Sequence, residues 1–189
     1  MAHNIGDLVA SARAGDKEAF GTLYQEYFAP IYRFVFFKTR HKETAEDITQ
    51  TVFAKALTSI PAFTDTGAPF IAWLYTIARN QCLDFWKKKQ DIVLDDVKNG
   101  EDVWETLPGK LSADKESLTR EREGILMRAL DALSDEQREL VILRFIEERS
   151  YQEIEKILGK SEEALRAMNY RAMKILRKEL KDKGIDVEL

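Results

Sequence analysis

The chain has 189 residues, 44% of them hydrophobic, with 29 basic and 33 acidic side chains and a formal charge of −4. That much apolar material excludes wholesale disorder, and the negative balance means that any affinity for nucleic acid must come from local clusters of charge. Cys82 is the single cysteine, so no internal disulfide can form. No apolar run reaches membrane-spanning length, and Met1 to Phe20 lacks the basic and apolar regions of a secretion signal, so we expect a cytoplasmic protein with no membrane insertion.

Apolar residues recur at helical spacing through residues 1–90, and no strand pattern is visible. The spacing predicts a short helix ending near Arg13, a long aromatic-rich one from Lys17 to Arg40, another from Glu43 to Leu57, and one from Pro69 to Lys89. Pro30 falls inside the second and is expected to kink or divide it. Pro61, Gly67 and Pro69 mark an irregular loop before the fourth. Tyr24, Tyr27, Phe28, Tyr32, Phe34, Phe36 and Phe37 are core candidates, since aromatics at this density more often pack than bind.

Periodicity stops after Lys89. Between Asp91 and Glu105 stand six acids (Asp91, Asp95, Asp96, Glu101, Asp102 and Glu105) against Lys98 alone, and Pro108 and Gly109 follow. Such composition suits a flexible tether. We therefore expect an all-α protein of two small helical domains, 1–90 and 120–183, joined by an acidic linker, 91–119.

Helical spacing resumes from about Arg120 to Leu133, and Ser134 is a good cap for the next helix, in which Leu140, Val141, Leu143 and Phe145 supply apolar surface. Tyr151, Ile154, Ile157 and Leu158 then make a short amphipathic helix ended by Gly159. Ser161 can cap a last helix, whose first-turn Glu162 and Glu163 suit the positive end of its dipole. The pair reads as a helix-turn-helix in the C-terminal domain. At about 100° per residue, Leu165, Met168, Ala172, Ile175 and Leu176 gather opposite Arg166, Tyr170, Lys174 and Arg177. Five basic residues and no acidic one lie between Arg166 and Lys178, a pattern that fits a helix in a DNA major groove and equally a solvated basic face.

Three segments in order carry a resemblance. AEDITQTVFAKAL (Ala45 to Leu57), PFIAWLYTIARNQCLDFWKKK (Pro69 to Lys89) and ALDALSDEQRELVILRF followed by SYQEIEKILGKS are similar to the successive regions of bacterial RNA polymerase sigma factors of the small extracytoplasmic-function (ECF) class. The likeness spans about Asp16 to Leu180.

The resemblance implies a non-enzymatic initiation factor whose partners are core RNA polymerase, promoter DNA both duplex and melted, and an anti-sigma factor. On the helix from Glu43 to Leu57, Ala45, Ile48, Val52, Phe53, Ala56 and Leu57 gather on one side, leaving Asp47, Gln50 and Thr51 on one ridge at spacings of three and four. These would meet the polymerase, or form an ordinary solvated face, and the family usually has an acid where Thr51 stands. Thr64, Asp65 and Thr66 would line a pocket for a flipped minus-ten base, or simply form a polar turn. Trp73, Thr76, Asn80, Leu83 and Lys87 lie nearer the outward side of the next helix, with Phe70, Leu74, Ile77, Ala78 and Phe85 inward. Of these, Trp73, Thr76, Asn80 and Lys87, with Lys88, would hold the separated strand; an ordinary packing role for Trp73 is the other reading. Asp95, Asp96, Glu101 and Asp102 would mimic RNA charge.

Arg166, Asn169, Tyr170, Arg171 and Lys174 are the candidates for the minus-thirty-five element, with Arg177 and Lys178 on phosphate. Glu155 stands where the family commonly has a small residue and Met168 where it often has a basic one, so we expect an unusual promoter preference. The end of the chain soon after Leu180 leads us to expect no further regulatory domain. A stand-alone helix-turn-helix regulator explains residues 150–180 equally well but leaves the upstream motifs unused. Catalysis is not expected: His3 and His41 are the only histidines, and no metal-ligand pair, glycine-rich phosphate loop or nucleophile motif is present, so neither metal nor cofactor is assigned.

Overall fold

The computed structural model describes residues 4–64, 67–92, 125 and 127–182, and the side chains of these except 88–92. All regular structure among the described residues is helical. The chain divides into two compact units, Met1–Pro108 and Gly109–Leu189.

In the first unit, α1 (Ile5–Arg13) starts at Asn4 and α2 (Lys17–Thr39) at Asp16, whose carboxylate accepts from the Glu18 and Ala19 amides. Each cap satisfies amide donors that have no partner inside the helix. Pro30 does not divide α2, which continues through it as one helix. A proline there removes one hydrogen bond, but from Ile31 to Thr39 every residue except Arg33 is buried, and that packing holds the helix together. Arg40 ends it in the left-handed conformation, φ 58°.

After it come α3 (Lys42–Ser59), a 3-10 turn (Ile60–Ala62) and α4 (Phe70–Ile92). α2 packs against α1, α3 and α4, and α3 against α4. Leu23, Ile31, Phe34, Val52, Ala56, Leu74, Tyr75 and Ala78 are wholly enclosed at the centre. The Phe34 and Tyr75 rings meet edge-on at 5.2 Å. Four sequence assignments change here. Leu57, expected inside, is 49% exposed, Tyr24 lies at the surface against Phe53, and Ile77 and Phe85 are only half-buried.

The second unit has a helical stretch at 127–131, then α5 (Asp135–Val141), which runs into a π-helical turn (Ile142–Ile146). In that turn Phe145 is 51% exposed, while Leu143 is buried. Next come α6 (Tyr151–Leu158) and α7 (Glu162–Lys181). Ser134 with Gln137, and Ser150 with Glu153, form reciprocal capping boxes. Gly159 closes α6 at φ 65°, where its amide donates to the Glu155 carbonyl at 2.9 Å. Arg138 binds the carbonyl ends of the preceding stretch through Leu130 (3.0 Å) and Leu133 (3.4 Å), and Lys160 pairs with Glu136 at 3.1 Å. Leu140, Leu143, Ile154, Leu165 and Ala172 form a closed core that fixes α7 on α6 and α5.

Candidate functional site

Three faces carry the residues singled out from the sequence. On α3 the buried stripe of Ala45, Ile48, Val52, Phe53 and Ala56 turns Asp47, Gln50 and Thr51 to solvent. The Thr51 hydroxyl donates back to the Asp47 carbonyl at 2.9 Å, which leaves its methyl on the surface. Ala54, Leu57 and Thr58 prolong the ridge, so it is polar at its start and apolar at its end. Leu57 escaped the sequence reading because it borders the apolar stripe; its place seven residues after Gln50 was the available signal.

On α4, Asn80, Leu83, Asp84 and Lys87 are exposed in one line. Thr76 is half-buried, its hydroxyl tied to the Ala72 carbonyl at 3.0 Å. Trp73 is half-buried too, within a cluster where its ring centroid lies 5.1 Å from Phe63 and 5.3 Å from Phe70. One part of Trp73 packs and another faces outward. Phe63, not singled out from the sequence, meets Phe70 and Trp73 from ahead of α4. Thr64 is exposed beside it, whereas Asp65, Thr66 and the Lys88 side chain lie outside the described residues, as do Asp95, Asp96, Glu101 and Asp102.

On α7, Leu165, Met168, Ala172 and Leu176 are buried, and Tyr170, Arg171, Lys174, Arg177 and Lys178 form the exposed face. Tyr170 is the most open large side chain, 74% exposed. One candidate leaves that face and another, though exposed, is bound within the protein. Asn169 turns toward the packed side, half-buried, and its Oδ1 is enclosed without a partner. Arg166 is committed elsewhere, with its Nη2 2.6 Å from the Glu162 carboxylate and its guanidinium 4.6 Å from the centroid of the Tyr151 ring. Met168 is core, so a basic residue there would have to be buried, and its difference from the family pattern concerns packing rather than base reading.

The turn into α6 is tightly bound. Burial alone would raise the Glu153 carboxyl, but hydrogen bonds from the Ser150 amide and hydroxyl, both 2.8 Å, and the neighbouring Arg149 at 3.3 Å outweigh it and hold the group below its usual value. Among the described residues no cluster of histidine, cysteine and carboxylate side chains could hold a metal ion.

Known proteins match both units in chain order. The Sigma-70 region 2 family matches residues 23–92 and the Sigma-70 region 4 family matches residues 123–176. The chain is 37% identical over 178 residues to the ECF RNA polymerase sigma factor BldN of Streptomyces coelicolor, covering 93% of this chain and 66% of that protein. It is 33% identical over 172 residues to the ECF RNA polymerase sigma factor SigX of Bacillus subtilis, covering 87% of this chain and 84% of that one. This chain belongs to the ECF sigma factors.

As an ECF sigma factor it directs RNA polymerase to promoters, a task of binding and strand capture with no covalent step of its own. Its fold agrees with two solved structures. CnrH, solved with the cytosolic domain of CnrY, superposes with a TM-score of 0.70 at 22% identity, covering 93% of this chain and 96% of that one. RpoE of Bartonella quintana, solved with the anti-sigma factor NepR, gives 0.66 at 24% identity, with coverage of 86% and 96%. No helix among the described residues is long and apolar enough to cross a membrane.

Proposed function

We propose that this sigma factor holds core polymerase through the α3 ridge of Asp47, Gln50 and Thr51, extended by Leu57. It captures the melted minus-ten strand along Trp73, Thr76, Asn80 and Lys87, with Lys88 beside them, and it accepts a flipped base near Thr64, Asp65 and Thr66. The observation that carries this reading is that the core of the first unit is closed while the α3 ridge and the α4 line face solvent. Apart from Trp73 and Thr76, which are half-buried, the residues of both faces are free of the core, and each face has the chemistry its partner requires. A mixed polar and apolar ridge suits a protein partner, whereas a half-open tryptophan in line with an amide and a lysine suits unstacked bases and phosphate.

In the second unit, Tyr170, Arg171 and Lys174 read and grip the minus-thirty-five duplex, with Arg177 and Lys178 toward phosphate. Arginine has the fork that fits a guanine edge, and an exposed tyrosine ring can meet a thymine methyl. The factor acts in the cytoplasm, where its polymerase is, and an anti-sigma protein restrains it by covering the α3 ridge. The complexes of CnrH with CnrY and of RpoE with NepR support such a partner. A gel shift on promoter duplex tests the scheme. Binding should require core polymerase, because a chain of net charge −4 can offer free DNA only local basic clusters. Tight binding by the factor alone would favour a stand-alone helix-turn-helix regulator instead.

A further inference from the structure

The base-reading face of α7 starts later in the helix than its charge pattern suggests. Arg166 is the first basic residue of α7, and although its side chain is 62% exposed, one edge and one face of its guanidinium are already engaged within the protein. Its Nε and Nη2 both bind Glu162 Oε1, at 2.9 and 2.6 Å, and its planar face covers the Tyr151 ring at 4.6 Å. Tyr151 is the first residue of α6, so the contact crosses from one helix of the motif to the other. A second guanidinium, that of Arg144, lies 5.1 Å from the centroid of the same ring and donates to the Arg149 carbonyl at 2.9 Å. The chain Glu162, Arg166, Tyr151, Arg144 and Arg149 therefore joins the first turn of α7 to the start of α6 and to the turn before it.

We infer that Arg166 is a positioning residue for minus-thirty-five recognition: clamped on Tyr151 and Glu162, it fixes the tilt of α7 on α6 and leaves base reading to Tyr170 and Arg171. The inference rests on the proposed DNA role of α7 and refines which of its residues touch DNA. Arginine suits the task because its plane stacks on an aromatic ring while its edge binds a carboxylate, which a lysine ammonium cannot do together. The pair also cancels the Arg166 charge where Glu162 would otherwise face phosphate, so the electrostatic footprint begins at Arg171.

The test is equilibrium binding of holoenzyme to a promoter duplex over a range of salt concentrations, and to a library varied at each minus-thirty-five base pair. Arg166→Lys, Arg166→Ala, Tyr151→Leu and the Tyr151→Leu/Arg166→Ala double variant are compared, with Tyr151→Phe as the conservative control. Arg166→Lys, Arg166→Ala and Tyr151→Leu should each weaken binding about threefold to tenfold, the double variant should be no weaker than the singles, and Tyr151→Phe should bind as wild type. The salt slope and the rank order of bases should stay unchanged. A slope lowered by about one in the Arg166→Ala protein would mean a phosphate contact and would overturn the inference. So would a preference lost at a single base pair, additive effects of the two substitutions, or full affinity of Arg166→Lys. Salt slopes and base ranking are read on whatever fraction binds, so partial unfolding of a variant does not imitate either. If wild-type holoenzyme shows no preference among minus-thirty-five sequences, the DNA role of α7 itself fails, an outcome distinct from every variant-specific one.

Discussion

The Trp73 ring centroid lies 5.1 Å from that of Phe63, and this contact joins the segment that precedes α4 to the face proposed to hold melted DNA. Phe70 completes the cluster from the first turn of α4, 5.5 Å from Phe63. An aromatic pair contributes about 0.5–1.5 kcal/mol beyond the area it buries. Phe63 is therefore positioned by the same tryptophan that is proposed to face the DNA strand. Phe63→Ala should shorten the life of open promoter complexes severalfold while changing duplex promoter binding little. Permanganate reactivity of minus-ten thymines, followed after a competitor is added, measures this. Unchanged decay would separate the cluster from strand capture.

The α3 ridge makes a cleaner prediction because nothing in the fold depends on it. Asp47→Ala combined with Gln50→Ala should reduce affinity for core polymerase about tenfold or more, as desolvated polar contacts at an interface do. Leu57→Ser should add to that loss. Melting temperature should stay within the small range expected of surface changes. Fluorescence titration with core enzyme measures the first effect and calorimetry the second. Unchanged affinity would remove these residues from the interface.

Gly159 tests the junction between α6 and α7. Its φ of 65° is left-handed, and a Cβ built there meets nothing within 4 Å. Gly159→Ala therefore carries only the conformational cost, about 1 kcal/mol, with no steric clash. Chemical denaturation of the full chain should show that loss in the transition of the C-terminal unit. A loss several times larger would mean that the turn has contacts beyond the cap.

Glu153 gives a pH dependence. Its folded carboxyl titrates below the reference value of 4.5 because the Ser150 hydrogen bonds and Arg149 outweigh the effect of burial. Above the unfolded value this stabilisation is fully present, and it is lost as pH falls through the folded one. The C-terminal unit should therefore weaken as pH drops below about 4.5, and Glu153→Gln should show less of that weakening while starting from lower stability at pH 7. Melts at pH 7 and pH 3.5 compare the two proteins. Equal pH dependence would contradict the assignment.

Most helices were legible because their ends are marked chemically. Asp16, Ser134, Ser150, Ser161 and Gly159 each cap or close a helix at the place that their residue type indicates. Periodicity gives an angle around a helix axis but says nothing of what lies across from it. That is why Leu57 and Asn169 fall on the other side from the one their spacing suggests: each sits at the border of a stripe. The continuity of α2 through Pro30 was not legible, because the buried run after it is a tertiary effect. The Glu162 and Arg166 pair was legible as a spacing of four, but the approach of Tyr151 from another helix was not. The surfaces on α3 and α4 were found through family resemblance, since an exposed polar line on a helix is ordinary until a partner is known.

The central claim is that this factor gives core RNA polymerase its promoters through the α3, α4 and α7 faces together. Run-off transcription with purified core polymerase over a promoter library measures it most directly. The account predicts initiation from a defined subset of promoters only when the factor is present, and loss of that activity in the Asp47→Ala/Gln50→Ala protein. No factor-dependent initiation from any promoter, with the wild-type chain folded and core polymerase active, would contradict it.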